Sequence, residues 1–245
     1  MLKKSVFQRK TRKFHRWFGL ILGIQFFFWT IGGIYFSWSD MDQIHGDHQK
    51  AHIHPISANK PLFELQKIID SLKTKDTVNF IFDTRLVQIL NEPFYQIHYS
   101  AKHDREKKIQ LADAYSGKLR GPLTKKEAIE VAKNSFKDES KIESVEYLTS
   151  TNGHHEYREN PLPAYAVTFD HPTKTTVYVS SQLGTVQKFR NNNWRVFDFL
   201  WMLHTMDYQT RDNLSNILLR AFSIFGLITI LSGFLLFFLT IKKGK

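Results

Sequence analysis

The sequence predicts an α+β membrane protein in which two transmembrane helices flank an extracytoplasmic domain of two helix-plus-antiparallel-sheet units. Three observations predict it. Residues 17–38 and 221–241 carry no charged side chain, and each stretch meets the length of about 20 apolar residues needed to cross about 30 Å of hydrocarbon. The polar chain between them alternates helical and strand-like periodicities in the same order twice. The net positive charge is concentrated at the two ends.

Residues 1–16 form a basic segment with Lys3, Lys4, Arg9, Lys10, Arg12, Lys13 and Arg16 and no acid. Residues 17–38 form the first transmembrane helix, with Trp17 at one end and Tyr35 and Trp38 at the other, as interfacial aromatic belts require. Its apolar length exceeds the 7–15 residues of a signal-peptide core, and no small-x-small cleavage pattern follows. It reads as an uncleaved anchor.

Residues 39–60 form a linker with His45, His48, His52 and His54 beside Asp40, Asp42 and Asp47. The first unit, 61–122, opens on Leu65, Ile68, Ile69 and Leu72, an i, i+3, i+4, i+7 helical stripe. Strand-like runs follow at 78–82, 95–100 and 108–114, then a Ser116-Gly117 turn.

The second unit, 123–190, opens on Thr124 and Glu127 at capping-box spacing, with Ile129, Ala132 and Phe136 as the buried stripe. Its strand-like runs are 142–149, 164–170 and 175–180, closed by a Leu183-Gly184 turn. The run from Pro93 to Tyr99 echoes that from Pro163 to Phe169, and Ile109 to Gly117 echoes Val177 to Gly184. Each unit is expected as a helix and three strands, with the helix covering one face of the sheet.

Residues 191–213 read as an interfacial amphipathic segment, helical over 194–206, with Phe197, Leu200, Trp201 and His204 on one side. The second transmembrane helix is placed at 214–241, followed by a basic tail at 242–245.

The chain carries 34 Lys+Arg against 23 Asp+Glu, a formal +11. The seven cations of residues 1–16, with Lys242, Lys243 and Lys245, leave 24 basic against 23 acidic residues elsewhere. This distribution excludes a nucleic-acid partner, which needs a basic patch on the folded domain. Cations flanking the apolar stretches instead place both termini in the cytoplasm and the domain across the bilayer, with anionic lipid as a partner of the ends. With no cysteine, thiol catalysis, Cys-ligated clusters and covalently attached haem are excluded.

The two units, ending in DAYSGKL and SSQLGTVQKF, resemble PepSY domains. His15-Arg16-Trp17-Phe18-Gly19 at the first transmembrane stretch and Leu203-His204-Thr205 ahead of the second resemble the PepSY-associated transmembrane family. The resemblance covers nearly the whole chain. It implies a two-pass protein of the bacterial cytoplasmic (inner) membrane. It also implies kinship with iron-regulated membrane proteins and with haem-containing ferric-siderophore reductases.

His15 and His204 are therefore candidate ligands of a non-covalent b-type haem. They lie near opposite ends of the two stretches and are not expected to share one iron. Gly19 and Gly23, with Thr30 and Gly33, give the first helix a small-residue face for a homodimer or another membrane protein. His45, His48 and His52 would share one face of a helix and, with His54, form a candidate site for a transition metal. Gly46 and Pro55 oppose that helix.

His154-His155-Glu156 lacks the second histidine of a zinc-protease motif and reads as a loop. No phosphate-binding loop, nucleophile elbow or dinucleotide fingerprint is present. The expected function is a membrane-anchored extracytoplasmic binding or accessory module without catalysis of its own. The alternative is a haem-bearing transmembrane electron-transfer subunit.

Overall fold

The computed structural model describes residues 2–52, 55–57, 59–101 and 107–241, with side chains from Val6 onward. In chain order the elements are α1 (Leu2–Trp38), α2 (Met41–His45), a 3-10 turn (Asp47–Gln49), α3 (Leu65–Lys75), β1 (Phe80–Ile89), β2 (Glu92–Ser100), β3 (Lys108–Asp113), β4 (Leu119–Arg120), α4 (Lys125–Ser135), β5 (Ile142–Leu148), β6 (Ala164–Phe169), β7 (Thr176–Ser180), β8 (Val186–Arg190), α5 (Asn192–Thr205) and α6 (Ile217–Thr240). The fold is α+β, with apolar helices at both ends and two four-stranded antiparallel sheets between them. The described residues form two units: a helical one of 2–40 and 196–241, and a body of 41–195.

In the helical unit, α1 is continuous over 37 residues, about 55 Å at the helical rise. The basic lead is helical and continuous with the first apolar stretch. α6 runs antiparallel to α1. Gln8 Nε2 donates to Leu239 O at 2.9 Å, and the rings of Phe18 and Phe225 and of Phe26 and Phe222 meet at 5.8 and 5.0 Å. Both helices are long and apolar enough to cross a membrane, and 11% of each apolar window is buried within the chain. A core helix of a water-soluble domain hides most of its apolar surface; these leave it bare.

The turn between α5 and α6 is ordered by two of its charged side chains. Asp207 is buried and accepts from Gln209 N, Thr210 N, Thr210 Oγ1 and Asn213 N. Burial alone would raise its pKa, but these hydrogen bonds outweigh it and hold the carboxyl at about 2. Arg211 closes on the buried carboxylate of Asp198. Asn216 caps α6, its side chain accepting from Leu219 N at 2.8 Å.

In the body each sheet is a four-stranded meander, β1-β2-β3-β4 and β5-β6-β7-β8, one strand more per unit than expected. The extra strands lie after the Gly117 and Gly184 turns, too short to show a periodicity of their own. β1 runs to Ile89, because Asp83, Thr84 and Arg85 continue the ladder on β2. Leu90 and Asn91 then turn the chain with φ of 51° and 68°, the left-handed pair of a two-residue hairpin. The expected repeat holds in three dimensions: β2 pairs with β3 as β6 pairs with β7.

α3 covers one face of the first sheet, with Ile68 and Leu72 on Ile97, Tyr99 and Ala112. α4 begins at the expected capping box, Thr124 Oγ1 accepting from Glu127 N and Glu127 Oε2 accepting from Thr124 N. It packs Ala128, Val131 and Ala132 on Val167, Phe169, Val177, Val179 and Phe189. Each helix covers one face of its sheet as expected, and the other face is covered as well. Ile89, Phe94 and Leu111, on the far side of the first sheet from α3, join the α4 core. Tyr157, Ala164, Ala166 and Tyr178 form a further cluster on the other face of the second sheet.

Gly184 (φ +74°) marks where the two meanders meet, since a Cβ there would stand 2.3 Å from Ile89 Cδ1. The linker also joins the body. Ile44 and Gln49 are buried, and Gln49 exchanges hydrogen bonds with Thr173 and Thr175.

Candidate functional site

His15 faces α6. Its Nδ1 lies 2.8 Å from Ser232 Oγ, and Ser232 gives its own proton to Thr229 O at 2.7 Å. The serine therefore accepts and His15 Nδ1 carries the hydrogen, an assignment from the network. The ring edge lies against Gly233, with Cε1 3.2 Å from the position a Cβ would take. Gly19, Gly23 and Gly33, expected beside His15 on one packing face, have nothing within 4 Å of theirs. Close approach between α1 and α6 comes instead from Gly226, set against Phe26, and Gly233.

His204 docks on α1 inside an aromatic stack. Its ring lies parallel to Trp29 at 4.3 Å and to Trp201 at 6.2 Å, with Phe36 edge-on at 5.5 Å. Trp29 Nε1 donates to the His204 carbonyl at 3.1 Å. The buried Nδ1 has no hydrogen-bond partner among the described residues and points at Gly32, 3.8 Å from its Cβ position. Loss of hydration lowers the pKa of this imidazole. Gly32 lies 17 residues along α1 from His15, about 25 Å. The two histidines do not converge, each has Nδ1 turned into helix packing, and they do not fit a haem held between them.

The linker histidines do not share a helical face, as Gly46 and Pro55 led one to expect. α2 ends at His45, Gly46 turns with φ +72°, and His48 lies in the 3-10 turn. His52 lies outside any helix or strand, and His54 is outside the described residues. Among the described residues no group of three His, Cys, Asp or Glu side chains is placed to hold a metal ion.

The His154-His155-Glu156 loop has a structural task. Glu156 takes a two-pronged ion pair from Arg195 at 2.7 and 3.0 Å and accepts from Tyr178 Oη at 2.6 Å. Tyr157 stacks on Tyr178 at 4.6 Å. The carboxylate is thereby committed to clamping the loop on the second sheet.

A groove of about 1250 Å³ lies wholly within the body. Its walls are the linker (His45, Asp47, Lys50, Ala51, His52), the β1–β2 hairpin tip (Val87, Gln88, Leu90, Asn91), α4 (Val131, Asn134, Ser135) and the chain from Thr185 to Arg190 with Trp194. Small-molecule pockets occupy about 300–1,000 Å³, so this groove has room for something larger.

Among the described residues Lys50, Lys188 and Arg190 line it with one acid, Asp47, which pairs with Lys50. Lys50 also lies 5.5 Å from the Phe189 ring, and Arg190 stacks on Trp194 at 3.9 Å. The tip of Lys188 reaches water, yet partial burial, Arg190 and Lys50 push its pKa below the ordinary lysine value.

Sequence reasoning missed this groove. The available signal was the alternation of Lys188 and Arg190 around buried Phe189, which puts both cations on one side of a strand. No family model, curated protein or solved structure matches the chain.

Proposed function

We propose that this chain is a two-pass protein of the bacterial cytoplasmic membrane whose PepSY-like body is an extracytoplasmic binding module, tethered by α1 and α6 and taking its ligand in the cationic groove. The groove is the observation that carries this reading: 1250 Å³, open to solvent, bordered by two meanders and lined by three cations against one carboxylate. Such a concavity focuses the field of its charges and gathers anionic ligands. Membrane insertion is supported by the bare apolar surfaces of α1 and α6, and cytoplasmic termini by the cations at both ends. The open faces of Gly19 and Gly23 support association with a second copy or another membrane helix.

A photo-crosslinking residue placed at Gln88, in the groove, and at Lys67, on the exposed side of α3, tests the reading in cells. A discrete adduct at Gln88 and none at Lys67 is expected. Adducts at neither position, or equally at both, would refute a groove that binds a specific ligand.

A further inference from the structure

We infer that the groove takes an extended, acidic segment of polypeptide, laid as an added strand along the free edge of β8; this rests on the binding-module reading above. Among the described residues β8 is the last strand of its sheet, paired with β7 alone. Every residue from Thr185 to Arg190 lines the groove. Side chains on a strand alternate between faces, so a cavity touching six residues in a row runs along the strand edge, where the backbone groups lie. An uncovered edge presents N–H and C=O groups that a further strand can pair. Six residues span about 20 Å.

The edge also carries a charge pattern. Lys188 and Arg190 are two residues apart, on the same side of β8, about 7 Å from one another along the strand. Carboxylates on alternate residues of a partner strand repeat at the same spacing and meet them as cross-strand pairs. Lys50 adds a third cation from the opposite wall. Arg190 is held in place by its stack on Trp194 and by donation from Nε to Glu156 O at 2.9 Å.

The test uses full-length protein in detergent and a fluorescein-labelled (Val-Glu)4 peptide, read by fluorescence anisotropy. Saturable binding is expected, with affinity at least ten-fold weaker for (Val-Lys)4. A (Val-Glu)4 peptide N-methylated at alternate residues tests the backbone pairing and is expected to lose binding by a similar factor. Lys188→Glu, at an exposed position, is expected to weaken (Val-Glu)4 at least ten-fold while leaving the melting temperature within a degree or two. Equal affinity for the N-methylated peptide, or equal competition by polyphosphate, would show a charge-only site and overturn strand addition. So would unchanged binding by Lys188→Glu. A Gln88 adduct in cells together with any of these outcomes leaves the binding module standing and removes only its peptide ligand.

Discussion

Single residues set the chemistry of the helical unit. Asp207 takes four hydrogen bonds while nearly buried, and its folded pKa of about 2 lies below the unfolded value near 3.9. A depressed carboxylate pKa contributes stability above the unfolded pKa that is lost as pH falls through the folded one. Asp207→Asn is expected to lower stability by about 2 kcal/mol near neutral pH, with the gap to the parent closing between pH 4 and pH 2. Thermal unfolding across that range checks it; a gap independent of pH would contradict the assignment.

Ser232→Ala leaves the part-buried hydrogen of His15 Nδ1 without its acceptor and is expected to cost about 1 kcal/mol. The expected optical spectrum of the purified, haem-supplied protein has no Soret band. A band lost in His15→Ala or His204→Ala would overturn the structural role given to these rings. His15 and His204 were visible in the sequence as unusual residues on apolar faces. Their partners, Ser232 and Trp29, lie 217 and 175 residues away, and no local pattern reveals such pairings.

At the scale of elements, helix signals were the most readable. The stripe of Leu65, Ile68 and Leu72 and the Thr124/Glu127 box each specify a local geometry, and both form. The box predicts that Thr124→Ala costs about 1 kcal/mol. Strands were less readable. β1 was cut short because Asp83, Thr84 and Arg85 break its apolar alternation, and Leu90 is an unusual residue for the left-handed region.

β8 was missed because five residues after a turn carry little periodicity, and with it went the cationic edge. The linker reads as hydrated polar chain, yet Gln49 is anchored in the body by long-range bonds to Thr173 and Thr175. Gly184 joins the two meanders by allowing Ile89 to touch its backbone. Gly184→Ala adds both a left-handed strain and a steric overlap, and is expected to destabilise the body by more than about 2 kcal/mol. A melting temperature equal to that of the parent would show that the meanders can part without cost.

At the scale of the whole molecule, two apolar helices of opposite direction bracket a duplicated helix-and-meander body. The duplication was legible because the same apolar alternation recurs around Pro93 and Pro163. The groove was not, since it is assembled from linker, hairpin, helix and edge strand, segments brought together only by folding. The central claim is that this body lies outside the cell membrane while both ends lie inside. The chain has no cysteine, so single introduced thiols report their side without background. With a membrane-impermeant maleimide on intact cells, Glu139→Cys is expected to label fully and Lys10→Cys only after the membrane is permeabilised. Labelling of Lys10→Cys in intact cells, or of Glu139→Cys only after permeabilisation, would contradict the account.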